Sequence, residues 1–194
     1  MNDTLATTPS VLANWPKTIW SEAWQITKLL DRPRIAGDDV SPARFFAALR
    51  VAGHDLEAAQ FLGVALPRYE AVAWAMRVVT VYPQTSVADV RTLQAVEAWL
   101  REPSDALRRT AAEVGAEITT ITPARLCAEA TFMSGGSVYP IGERPVPTPR
   151  HTTGRLAAGA VLTAVYATSD PAAHLDTALN WGAAIAAQPT DRSS

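Results

Sequence analysis

Apolar residues recur along this chain at helical spacing. Ala71, Trp74, Ala75, Val78, Val79 and Tyr82 fall at i, i+3, i+4, i+7, i+8 and i+11, one continuous helix face. Leu107, Ala111, Val114 and Ile118 step by four, three and four, and Ile19, Ala23, Ile26 and Leu30 do likewise. No stretch alternates with period two for long enough to demand a strand. The pattern predicts helices near 17–30, 42–52, 55–65, 67–82, 86–101, 104–119, 123–132, 154–168 and 171–187. The expected fold class is all-α.

Helix starts are written with a repeated device. Ser41-Pro42, Thr122-Pro123 and Asp170-Pro171 each set a capping oxygen before a proline. The cap accepts from an otherwise orphaned N–H, and proline at the first helical position has no N–H to orphan. Leu66-Pro67 and Glu102-Pro103 are weaker versions, with Ser104 as an alternative cap. Joints between 42 and 132 are short, which favours stacked antiparallel helical hairpins. An echo between Glu70–Trp74 and Ala95–Trp99 reads either as a degenerate repeat or as a likeness of alanine-rich composition.

Residues 133–153 break the pattern. Gly135 and Gly136 are adjacent, and Pro140, Pro145, Pro147 and Pro149 follow. Proline lacks the N–H and clashes with the preceding turn, so the stretch is an extended connector of roughly 20 residues. Its Val138, Tyr139, Ile141 and Val146 are apolar residues that flexible linkers lack, so it is expected to be ordered on the domain. The helix after it, 154–168, is apolar nearly all round and should be central. Its Ala157, Ala158, Gly159, Ala160 and Ala164 would let neighbouring helices approach closely. One helical domain is expected over 15–187, with flexible polar tails at 1–14 and 188–194.

Composition narrows the function classes. Of 194 residues 48% are hydrophobic, enough for a sizeable core. The formal net charge is −2 and the arginines are scattered, with Arg32/Arg34 and Arg108/Arg109 only pairs. A nucleic-acid footprint needs a basic stripe, so no nucleic-acid partner is expected. The N-terminus has no basic and apolar leader, and the most apolar run, Leu156 to Ala167, is too short to span a bilayer. The expectation is a cytoplasmic protein without a membrane partner.

Chemistry-bearing residues are few. With one cysteine and three histidines (His54, His151 and His174), no group has zinc-ligand spacing, so no metal site and no cofactor are expected. Cys127 and His151 would need hydrogen-bond reach and a third orienting group to act as nucleophile and base, and no catalytic residue is assigned. Ser134-Gly135-Gly136-Ser137 could aim N–H groups at a phosphate, but no lysine follows as in a P-loop. The commoner use of such glycines is to end a helix in the left-handed conformation. Pro145–Pro149 reads either as a polyproline ligand or as a stiff spacer. Trp15, Trp20 and Trp24 crowd the first helix and read either as core or as an interface, where aromatic anchors dominate.

Several blocks resemble an uncharacterised bacterial family, a domain of unknown function. They are Ala43-Arg-Phe-Phe-Ala-Ala-Leu49, Glu57-Ala-Ala-Gln-Phe-Leu62, Leu66-Pro-Arg-Tyr-Glu-Ala-Val-Ala-Trp-Ala75, Ala98–Arg109, and Thr122-Pro123 with Ala130–Ser137. The last, with the prolines after it, is the most distinctive. Ala73 stands where the family often has a second tryptophan. The resemblance implies no activity. It implies an association with type VI secretion components, among them spike-tip and effector-adaptor proteins.

These readings lead to a non-enzymatic interaction protein, an adaptor or chaperone-like factor whose partner is secretion cargo or a spike component. The candidate interaction residues are Ser134, Gly135, Gly136, Ser137, Arg150, His151, Trp20 and Trp24. The alternative is a small enzyme or ligand-binding protein with its site at the connector, using Ser134, Ser137, Arg150 and His151. Self-assembly alone is a third reading.

Overall fold

The computed structural model describes residues 14–83, 86–139 and 142–190. These form nine helices: α1 (Ala23–Leu29), α2 (Pro42–Val51), α3 (Asp55–Ala65), α4 (Arg68–Val79), α5 (Val87–Arg101), α6 (Asp105–Ala116), α7 (Pro123–Phe132), α8 (Thr152–Tyr166) and α9 (Pro171–Ala186). The only β pairing among them is an isolated antiparallel bridge between Ser137 and Pro147. The all-α expectation holds.

The caps fall where the sequence places them. Ser41, Ser104, Thr122 and Asp170 each accept from the backbone N–H three residues on, at 3.2–3.5 Å. Ser86 caps α5 in the same way, and its hydroxyl donates to Asp89. The other Asp89 oxygen accepts from Thr122 Oγ1 at 2.7 Å, which ties the start of α5 to the start of α7.

The first helix is shorter than expected. It begins at Ala23, and Ile19 lies outside it, 62% exposed. Gln25 reaches back so that its Oε1 accepts from the N–H groups of Ser21 and Glu22. That side chain satisfies donors which a longer helix would have used, so residues 15–22 form turns instead.

α8 is the central helix, packed against α3, α4, α7 and α9. Its close approach is made by Gly154 and Gly63 of α3, not by Gly159. A Cβ on Gly154 would lie 2.8 Å from Val64 Cα, and one on Gly63 would lie 3.1 Å from Ala158 Cβ. A Cβ on Gly159 would meet only Leu126 Cδ1, at an ordinary 3.7 Å. The core is completed by Trp74, Phe61, Ile26, Leu62 and Leu179, all fully buried. Trp74 donates its indole N–H to Ala178 O at 2.8 Å, so its burial leaves no donor unpaired. Helices α5, α6 and α7 pack on one another as the adjoining group. The three-residue joint between α5 and α6 forces the chain to reverse there.

Of the expected tails, residues 1–13 and 191–194 lie outside the described residues. Thr190 donates from Oγ1 to Pro16 O at 3.0 Å.

Candidate functional site

The connector is held on the domain by arginines. At its neck Ser137 pairs with Pro147, and Val138 N–H donates to Val146 O at 3.1 Å. Ser137 Oγ accepts from the N–H groups of Tyr139 and Val146. Arg108 of α6, only 3% exposed, donates to the carbonyls of Phe132 and Ser137. Arg109 donates to Ser137 O and Tyr139 O. Arg68, the first residue of α4, donates to Ser134 O at 3.3 Å and Thr148 O at 2.9 Å. Three guanidinium groups thus satisfy carbonyls that no sheet or helix serves. Pro140 and Ile141, part of the expected ordered connector, lie outside the described residues.

Asp105 holds the α6 pair in place. Its carboxylate accepts from Arg109 Nε at 2.8 Å and Arg108 Nε at 3.0 Å. Hydrogen bonds from Arg109, then from Arg108, hold its carboxyl below the ordinary value of 3.8. Gly136 lies directly over this pair with φ +62°. A Cβ there would sit 2.7 Å from Arg108 Nη2 and Asp105 Oδ1. The left-handed glycine after α7 is therefore Gly136, and it is needed for space as well as for conformation.

A groove of about 550 Å³ opens where the connector meets the head of α4. Ile19, Trp20, Val64, Leu66, Pro67, Arg68, Gly136, Pro147, Thr148 and Arg150 line it. Trp20 is half-buried, its indole N–H donating to Val64 O at 3.1 Å. Burial, and next the positive charge of Arg150, lower the Arg68 guanidinium from its ordinary value. Among the described residues neither arginine has a carboxylate partner. Thr148 is 6% exposed, and its Oγ1 is buried without a hydrogen-bond partner.

The structure brings Trp20, Gly136 and Arg150 together in this groove, and not the other residues singled out. Ser134 spends its hydroxyl on Thr131 O at 2.7 Å, and Ser137 spends its own inside the connector. A Cβ on Gly135 would meet nothing within 4 Å. His151 caps α8 from its backbone, without a side-chain hydrogen bond to the helix. Trp24 stands apart: Arg34 lies over its ring at 4.9 Å and Glu22 accepts from its indole N–H. Trp15 is core, 5.2 Å from the ring of Phe46. Cys127 is fully buried in α7, and burial pushes its thiol up to about 12, where no useful thiolate forms near neutrality. No hydrogen bond joins it to His151. Among the described residues no group of three or more His, Cys, Asp or Glu could hold a metal ion. No helix among them is long and apolar enough to cross a membrane.

The model of a family of unknown function, DUF6931, matches residues 45–186. The chain belongs to this family. The DUF6931 match runs from inside α2 to the last residue of α9, so it covers Arg68, Arg108, Arg109, Thr148 and Arg150. Ile19 and Trp20, which close one side of the groove, lie before it. No curated protein and no solved structure matches the chain.

Sequence reasoning missed the arginine clamp of this DUF6931 chain. One signal for it was present. Arg108, Ala111 and Gly115 step by three and four along the buried side of α6, in phase with the buried Ile118 just beyond its end, so an arginine sits in phase with the core. Nothing comparable marks Arg68 or Thr148, which meet each other only through tertiary packing.

Proposed function

We propose that the protein is a non-enzymatic bacterial interaction protein working in the cytoplasm, an adaptor or chaperone-like accessory factor for type VI secretion cargo. It docks its partner in the groove between the head of α4 and the connector. The observation that carries this reading is the groove itself. An exposed apolar side chain, Ile19, and a half-buried tryptophan lie beside two arginines without a carboxylate. Tryptophan and arginine are the residues most enriched where binding energy concentrates. The engagement of the Ser134 and Ser137 hydroxyl oxygens with the chain's own backbone supports binding over catalysis. The partner class, secretion cargo or a spike component, follows from the family resemblance and the association it implies.

A tagged chain, purified from its host and analysed by mass spectrometry, tests the reading. The parent chain should retain a defined partner. Ile19→Lys with Trp20→Ala should lose it while keeping the parent's circular dichroism. Retention of that partner at parental levels by the folded double variant would place docking elsewhere.

A further inference from the structure

The groove contains an uncompensated cationic floor, and this points to the chemistry of what it binds. Arg68 and Arg150 repel each other across it, and no carboxylate of the described residues answers either. Glu70, the acidic residue in the first turn of α4, is already paired with Lys17 at 3.1 Å. Two helix starts, those of α4 and α8, adjoin the same place, and neither is capped by a side chain. Their partial positive ends add to the arginine charge. Thr148 supplies a hydroxyl that is buried and unpaired, although buried polar groups ordinarily find partners. Arg68 has already spent two donors on Ser134 O and Thr148 O, so its guanidinium is fixed in place. Arg150 is exposed and uncommitted. One fixed cation, one free cation and one idle hydroxyl are the elements of an anion site. Beside it, Ile19 and Trp20 offer apolar surface, and the groove is open to solvent rather than fully enclosed.

We infer that this groove recognises a carboxylate side chain next to an apolar one, presented by an extended acidic segment of a protein partner. Arg150 and Arg68 take the carboxylate with the Thr148 hydroxyl, and the apolar neighbour lies on Ile19 and Trp20. An open groove lets a chain pass through, which favours an internal Asp or Glu over a chain end. Charge-assisted bonds of this kind are the strong ones. The inference rests on the docking reading above and adds the ligand's chemistry to it.

The test is an amide and indole NMR titration of the full chain with the capped dipeptide Ac-Leu-Asp-NH2. The Trp20 indole N–H and the amides of Arg68, Thr148 and Arg150 should shift together and saturate. Ac-Leu-Asn-NH2, the uncharged isostere, should bind about tenfold more weakly, and Arg150→Gln should weaken the aspartyl peptide to a similar degree. Arg150 supports no part of the fold, so this variant should keep the parent's spectrum elsewhere. Equal binding of the two peptides, or no effect of Arg150→Gln, would overturn the inference. Saturable shifts with inorganic phosphate but none with the aspartyl peptide would also overturn it and make the site one for a small anion. N-acetyl-leucine binding more tightly than the capped aspartyl peptide would assign the site to a chain end instead. In each of these cases the host purification still separates the two claims. Loss of the partner on Ile19→Lys with Trp20→Ala would leave docking in place with a different chemistry.

Discussion

Gly63 and Gly154 meet backbone to backbone where α3 crosses α8. A Cβ on Gly154 would lie 2.6 Å from the carbonyl carbon of Gly63 and 2.8 Å from Val64 Cα. Neither neighbour is a flexible side-chain end, so the helices themselves would have to part. This contact sets how deeply α8 is seated. Because the connector feeds α8 directly, it also sets where Thr148 and Arg150 stand.

The contact predicts a sign reversal between two glycines of one helix. Alanine is worth about 1 kcal/mol over glycine inside a helix. Gly159→Ala, with ordinary space above it, should therefore leave the thermal midpoint unchanged or raise it. Gly154→Ala should lower stability by about 1–3 kcal/mol through overpacking. Thermal melts of the two variants check this, and a stabilised Gly154→Ala would mean that α3 and α8 are not in close contact.

Arg108 is predicted to act as the latch of the connector. Arg108→Ala leaves the Phe132 carbonyl without its guanidinium donor and the Ser137 carbonyl with Arg109 alone, and should cost about 2 kcal/mol or more. A glutamyl endopeptidase should then cut after Glu143 in the variant much faster than in the parent, at a denaturant concentration where both remain helical. Equal cutting rates would show that Arg108 does not restrain the connector.

The latch should weaken in acid. Arg109 and Arg108 hold the Asp105 carboxyl below its ordinary 3.8, so its folded value is lower than its unfolded one. The stabilisation is then complete above the unfolded value and disappears as pH falls through the folded value. Asp105 is about half exposed, so the effect is local and not a global acid transition. Exchange of the Val138 N–H, corrected for its intrinsic rate, should lose protection as the pH falls below 3.8, and Asp105→Asn should remove that dependence.

These elements show what could be read along the chain and what could not. Thr122-Pro123 and Asp170-Pro171 announce their helices because a cap acts over three residues, and local chemistry is visible locally. The α6 face was harder. Leu107 and Val114 are only half-buried, while Arg108 and Gly115 face inward, because the connector supplies carbonyls there that make an arginine acceptable in the core. The groove joins Trp20, Arg68 and Thr148 across 48 and 80 positions of chain, a meeting that no periodicity encodes. The sequence singled out Trp20, Gly136 and Arg150, but it gave them no common place.

Cys127 is predicted to be inert and dispensable. Its thiol is buried and pushed up to about 12. An aromatic disulfide reagent should label it only after denaturation, and Cys127→Ala should cost about 1 kcal/mol of packing while retaining partner capture. Rapid labelling of the native chain, or loss of capture by the folded variant, would restore a chemical role for α7.

The docking claim is tested most directly by photo-crosslinking in the host. A benzophenone side chain is placed at position 19, in the groove, and in a second chain at position 121, on the exposed joint between α6 and α7. A defined covalent adduct with a second protein is expected from position 19 and none from position 121. An adduct from position 121 alone, or no difference between the two positions, would contradict docking in the groove.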